Sequence, residues 1–89
     1  MYDDLHQALV KSHKAVQWFA LGEAVKLAAT IEKICLNYPK KKKKDENLCE
    51  ALVKVAERTC DFLKRHHYSG GDEIVKNIQD VLTRIKMEA

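Results

Sequence analysis

The chain contains little glycine or proline, the residues on which tight turns depend. It has three glycines and one proline among 89 residues, which excludes an all-β fold built from many hairpins. The length also falls far short of the roughly 250 residues of a barrel enzyme. A chain of this size buries roughly 60–65% of its unfolded surface. We therefore expect one domain, residues 1–89, with a modest core.

Long apolar segments are missing as well. The longest stretch without a formal charge, Ala15 to Gly22, is much too short to cross a bilayer, so no membrane span is predicted. Charged residues at Asp3, Asp4 and Lys11 interrupt the apolar residues near the start, and this segment does not predict a secretory signal.

Cysteine is scarce and odd in number. The three cysteines show no C-x-x-C spacing and do not fit a disulfide-stabilised secreted scaffold; they are Cys35, Cys49 and Cys60. We expect reduced thiols in an intracellular protein, cytoplasmic or nuclear.

Apolar residues recur at intervals of three and four along nearly the whole chain, which predicts helices. The first helix, about residues 3–21, is expected to bury Leu5, Leu9, Ser12, Val16 and Phe19. The second, about residues 23–37, is expected to bury Ala24, Leu27, Ile31, Ile34 and Tyr38, with Ala28 and Cys35 alongside. The two stripes differ in phase, and we place the break between two antiparallel helices at Gly22. One long helix with a local stutter is the alternative.

Two further helices follow a charged loop. Pro39 ends the second helix, and Asn47 with Glu50 resembles a capping box at the start of the third. In the third helix, Glu50–Lys54 and Asp61–Arg65 are favourable pairs four residues apart. The glycines at 70 and 71 mark a loop before a fourth helix, whose stripe comprises Ile74, Val75, Ile78, Val81, Leu82 and Ile85. The predicted fold is all-α, an up-down antiparallel four-helix bundle, with a three-helix bundle as the fallback.

Residues suited to catalysis or metal binding are present but not arranged for it. His6 and His13 lie about 10 Å apart along a helix and cannot share one metal ion. No zinc-ligand spacing occurs, and the glycine pair lacks the remainder of a phosphate-binding loop. Ser12 and His13 are adjacent on a helix and do not face each other. We predict no metal, no cofactor and no enzymatic activity.

A run of lysines is the most conspicuous local feature. Without it, 11 basic and 13 acidic residues leave a net charge of −2, against +3 for the whole chain. The run is consistent with a nuclear-import signal, with contacts to nucleic-acid phosphates or an anionic membrane surface, or with a solvated connector. It consists of Lys40, Lys41, Lys42, Lys43 and Lys44.

In each helix, the residues expected to be buried are here called the inner stripe. Apolar residues outside it indicate a second surface. Trp18 lies about 100° around the helix from Phe19, toward the flank that carries Leu21 and Val25. These three residues are the candidate docking surface for a partner helix. The alternative, which the sequence slightly favours, is that neighbouring helices cover both sides.

The order of helix, short glycine-containing break, helix, charged loop and two more helices resembles the flagellar export chaperones and, less closely, the microtubule-interacting and trafficking modules. The stretches Ala15 to Ile34 and Cys60 to Arg65 carry the likeness, which consists of spacing alone, and the lysine run departs from it. We do not assign the chain to either family.

The sequence therefore favours a non-enzymatic protein–protein interaction module: an adaptor, chaperone or regulatory bundle that accepts a partner helix in an apolar groove. A nucleic-acid-associated protein acting through Lys40 to Lys44 is the alternative. A homodimer formed through the exposed stripe is a third interpretation.

Overall fold

The chain folds into four α-helices in the computed structural model, which describes residues 2–38, 46–67 and 69–88. They are α1 (Tyr2–Gln17), α2 (Gly22–Asn37), α3 (Glu46–His66) and α4 (Gly71–Glu88), and these described residues contain no strand. Consecutive helices pack together, α4 returns to α1, and α1 also contacts α3 across the centre. The predicted all-α four-helix bundle is confirmed, and the three-helix fallback is wrong.

One hydrophobic core joins all four helices. The predicted stripes supply it, and its largest fully buried side chains include Phe62, Leu5, Leu9, Ile31, Leu52, Leu63 and Ile78. Ser12 and Thr59 are also fully buried. Their hydroxyls donate hydrogen bonds to carbonyls of their own helices, those of Leu9 at 2.9 Å and Val55 at 2.8 Å. The core therefore contains polar atoms without leaving these two hydroxyls unsatisfied.

The break between α1 and α2 exists, but Gly22 does not make it. Residues 18–21 form the turn and Gly22 is the first residue of α2. The amide of Phe19 bonds the carbonyl of Val16 at 3.2 Å, which tightens the end of α1. The chain then reverses at Ala20, whose φ of 32° is positive. The single long helix is excluded, and an alanine occupies the position where glycine was expected.

This backbone conformation predicts that Ala20→Gly stabilises the protein. A left-handed conformation costs an L-residue roughly 1–2 kcal/mol, a penalty that glycine escapes. We expect Ala20→Gly to raise the free energy of unfolding by about 0.5–1 kcal/mol in urea titrations followed by circular dichroism. The matched control is Ala29→Gly on the exposed face of α2, which should lower it by about 1 kcal/mol. Equal losses in both variants would contradict the turn geometry.

The remaining helix ends require one more correction. Because α3 already begins at Glu46, Asn47 lies inside its first turn and is not the N-terminal cap. Asp72 lies in the first turn of α4, and Gly70 has a φ of 85° in the turn before it. The lysines at 40–44 lie outside the described residues. Among the described helices, none combines the length and the apolar character that crossing a membrane requires.

Ion pairs on the surface connect neighbouring helices. Glu50 and Lys54 pair within α3 at 3.6 Å as predicted. Arg65, which the spacing pairs with Asp61, instead binds Glu23 of α2. Arg84 reaches Asp4 of α1 at 4.0 Å. Such exposed pairs contribute about 0–1 kcal/mol each, so they orient the helices more than they stabilise them.

Candidate partner-binding surface

The three candidate docking residues are exposed. The exposed fractions are 74% for Trp18, 45% for Leu21 and 62% for Val25. Leu21 and Val25 share one face of α2, since the amide of Val25 bonds the carbonyl of Leu21 at 2.9 Å. The alternative in which neighbouring helices cover this flank is therefore wrong for the described structure.

Trp18 and Phe19 diverge as predicted. The ring of Phe19 is half-buried and packs edge-to-face against Phe62, with centroids 5.1 Å apart. The Trp18 ring contacts Phe19 at 6.2 Å in a similar perpendicular arrangement. Trp18 is thus attached to the core through Phe19 while most of its own surface faces solvent.

Apolar residues also recur on the exposed face of α2 beyond Val25, although Glu32 falls between the last two of them. Residues at intervals of four, four and seven form a stripe on its exposed face, here called the outer stripe, and it comprises Leu21, Val25, Ala29 and Leu36. Sequence reasoning missed Leu36 and Ala29. The available signal was that both fall outside the inner stripe of α2 although both are apolar.

Large exposed apolar side chains are concentrated on two of the four helices and the turn between them. Five of the six large ones among the described residues belong to α1, α2 or their turn: Val10, Trp18, Leu21, Val25 and Leu36. The sixth is Met87 near the end of α4. Single exposed apolar residues are normal, but clustering on one face marks an interaction site.

A groove runs between α1 and α2 beside the outer stripe. It has a volume of about 440 Å³ and is lined by Gln17, Val25, Ala28, Ala29 and Glu32. The two alanines leave room between the helices because their side chains are short. We call the groove, the outer stripe, Val10 and Trp18 together the α1–α2 face.

Leu21 occupies a position where a polar residue would stabilise the helix. It is the N-cap of α2, with extended backbone (φ −93°, ψ 150°), and its side chain makes no capping hydrogen bond. Ser, Thr, Asp or Asn at an N-cap is worth about 1 kcal/mol. Leu21 therefore contributes no such capping bond to α2.

Polar side chains connect the start of α1 with the end of α2. His6 stacks on Tyr38 with ring centroids 4.9 Å apart, and its Nε2 donates to the carbonyl of Cys35 at 3.2 Å. The Tyr38 hydroxyl donates to Asp3 at 2.8 Å. Burial, together with the neighbouring Asp3 carboxylate, raises the pKa of Tyr38 well above its ordinary value. These contacts fix α1 against α2 and hold the groove between them.

This cluster predicts a loss of stability at alkaline pH. Above pH about 10 the unfolded chain releases the phenol proton while the folded chain retains it, so the free energy of unfolding falls as pH rises. We expect Tyr38→Phe to reduce stability by up to about 1 kcal/mol at neutral pH and to show a shallower decline above pH about 10. Urea titrations of wild type and variant, at neutral pH and above pH about 10, measure the difference in the free energy of unfolding. Parallel declines in wild type and variant would contradict this assignment.

Two of the cysteine thiols have raised pKa values, and two histidine ring nitrogens are buried. Burial raises the pKa of the Cys60 thiol to about 11 and also raises that of Cys35, so both remain protonated at neutral pH. The Nε2 atoms of His13 and His66 are buried without a hydrogen-bond partner in the structure as described. Within residues 2–38, 46–67 and 69–88, no three His, Cys, Asp or Glu side chains are grouped to hold a metal ion.

Comparison with known proteins adds no family: no family model, curated protein or solved structure matches this chain. The resemblance to the export chaperones and to the trafficking modules stays a prediction from helix spacing. The α1–α2 face is therefore the feature from which a function is proposed.

Proposed function

We propose that this chain is a non-enzymatic interaction module, an adaptor, chaperone or regulatory bundle, whose α1–α2 face binds a helix of a partner protein. The observation that carries the proposal is the concentration of exposed apolar side chains on that face, beside an open groove. Trp18, Leu21 and Val25 are its central contacts. The partner is another protein, and no cofactor is involved.

The dimensions of the face favour a helix as the occupant. From Leu21 to Leu36 the outer stripe extends about 22 Å, at about 1.5 Å per residue, which is the length of four helical turns. A helix lying beside it presents apolar residues at intervals of three, four and seven, and these match the spacing of the stripe. The alanines in the groove allow its backbone to approach closely.

The rest of the molecule fits a binding role better than a catalytic one. Cys35 and Cys60 are held as thiols, and the hydroxyls of Ser12 and Thr59 are buried and bonded to helix carbonyls. None of these four groups is activated as a nucleophile. The free thiols of Cys35 and Cys60 also fit a location in the cytoplasm or nucleus.

The alternative function is contact with nucleic-acid phosphates through Lys40 to Lys44, a run that the structure does not describe. The salt dependence of DNA binding distinguishes this function from the binding of a partner helix. Five phosphate contacts predict a slope near −4.5 for the logarithm of DNA affinity against the logarithm of salt concentration. A flat slope would remove this function.

Site-specific photocross-linking tests the partner-helix proposal directly. Benzoylphenylalanine replaces Val25 in one sample and Met87 in a control, because Met87 is 82% exposed on a different helix. Both are irradiated in nuclease-treated lysate of the source cells, and adducts are mapped by mass spectrometry. The proposal expects an adduct from position 25, absent from position 87, within a helical segment of another protein. Adducts only between copies of this chain, or equal adducts from both positions, would overturn it.

A further inference from the structure

By helical position, lysines lie on either side of the outer stripe, two on α1 and two on α2. On α1, Lys14 follows Val10 by four residues and precedes Trp18 by four, so helical spacing places it on their side of the helix. Lys11 lies one turn before Lys14. On α2, Lys33 is four residues after Ala29 and three before Leu36, and Lys26 is three before Ala29. We call these pairs the lysine rims: Lys11 with Lys14, and Lys26 with Lys33, all exposed.

The acidic residues of the same two helices are largely engaged elsewhere. Asp3 accepts the hydrogen bond of Tyr38, Asp4 pairs with Arg84 at 4.0 Å, and Glu23 binds Arg65. Within the described part of the chain, no lysine of the rims forms an ion pair. Glu32, which lines the groove, is the remaining acidic residue of these two helices. The face therefore combines an apolar centre with a net positive border.

This arrangement identifies the chemistry of the partner, on the basis of the proposed function. We propose that the partner helix is amphipathic and acidic: an apolar stripe seats on the outer stripe, and glutamates or aspartates on both flanks meet the lysine rims. Charges at an interface rim steer encounter and set specificity more than they add affinity. Acidic flanks would thus select this partner among helices with the same apolar pattern.

The lysine rims also disfavour a second copy of this chain as the occupant of the α1–α2 face. A two-fold contact between two α1–α2 faces brings the same surface against itself. Lysine rims would then face lysine rims, with Glu32 as the acid available between them. Like charges placed opposite each other are unfavourable. The positive border therefore favours a partner of opposite charge over self-association.

Three synthetic helical peptides of about 18 residues test the charge requirement. All carry the same leucine stripe and differ only in the flanks, which are glutamate, glutamine or lysine. A fourth peptide has the glutamate composition in scrambled order, and a short DNA duplex represents other polyanions. Binding is read from the emission of Trp18, the only tryptophan in the chain, in about 50 mM and about 500 mM salt.

We expect the glutamate peptide to bind at least about tenfold more tightly than the glutamine peptide at low salt, with a smaller difference at high salt. The double variant Lys14→Glu with Lys33→Glu should remove this preference. The matched control, Lys64→Glu with Lys76→Glu, makes the same change of net charge on exposed positions of α3 and α4. It should keep the preference within about twofold.

Several results would overturn the inference. Equal binding of glutamate and glutamine peptides would show that the rims do not select the partner, while the proposed helix-binding function would stand. Equal binding of the scrambled peptide, or tighter binding of the DNA duplex, would show that charge acts without the apolar stripe. If none of the peptides bound the wild-type protein, the inference and the proposed function would both fail.

Discussion

Replacing Phe62 with alanine is expected to lower the free energy of unfolding by about 3–5 kcal/mol. Phe62 is 1% exposed and leads the fully buried side chains in volume. Its ring packs against Phe19 at 5.1 Å and against His66 at 4.4 Å. Truncation removes both contacts and opens a cavity that α1 and α3 cannot fill without moving. Domains have only about 5–15 kcal/mol of stability in total, so this loss should remove a large part of it.

Trp18→Ala is the control that gives this prediction its meaning. Both residues are large aromatics near the same end of the bundle, but Trp18 is mostly exposed. We expect its truncation to change the free energy of unfolding by no more than about 0.5 kcal/mol. Urea titrations of the two variants in parallel measure the contrast. If Trp18→Ala destabilised the protein as strongly as Phe62→Ala, Trp18 would be a core residue and the binding surface would lose its central contact.

The largest expected effect on binding comes from the outer stripe. The double variant Leu21→Asp with Val25→Glu places two carboxylates where the partner helix would seat its apolar residues. Burying unpaired charges there should weaken binding of the cross-linked partner segment at least about 100-fold, or about 2.7 kcal/mol. Fluorescence anisotropy of the labelled segment measures the loss.

The same variant is expected to remain folded. Aspartate at the N-cap of α2 can accept the hydrogen bond that Leu21 cannot, which is worth about 1 kcal/mol, and position 25 is exposed. Stability should therefore be unchanged or higher while binding is lost. Met87→Glu, which places one carboxylate at an exposed apolar position of α4, should leave binding intact. A loss of binding that is the same for Met87→Glu would show that the effect is not specific to the α1–α2 face.

Inner stripes were predictable from the sequence because burial within a bundle follows the helical period. Leu5, Leu9 and Val16 in α1, and Ile78 and Leu82 in α4, all lie where the spacing of three and four places them. The period is a property of each helix alone and needs no knowledge of its neighbours. For the same reason, the four-helix arrangement followed from the stripes and the short connections between helices.

The turn and the surface pairs were less predictable. The expectation at Gly22 came from the general preference of glycine for helix ends, but the chain reverses at Ala20, which has a positive φ. Arg65 pairs with Glu23 of another helix instead of Asp61 of its own. A long charged side chain can reach several partners, and which of them lie close is determined by the folded bundle.

The candidate surface was only partly visible in the sequence. Trp18, Leu21 and Val25 could be identified because they are apolar and out of phase with the inner stripe. The groove beside Ala28 depends on which face of α2 meets α1, and one helix's sequence does not contain that information. The pairing of Asp4 with Arg84 and of Glu23 with Arg65 also depends on the assembled bundle.

The most direct test of the central claim is a nitrogen–proton NMR titration of the labelled protein with the cross-linked partner segment. It follows every backbone amide at once, including those of the lysine run at 40–44. The account predicts that the large shift changes fall between residues 10 and 36, with the strongest around Leu21, Val25 and Ala29. Changes confined to α3 and α4, or to the lysine run alone, would contradict it.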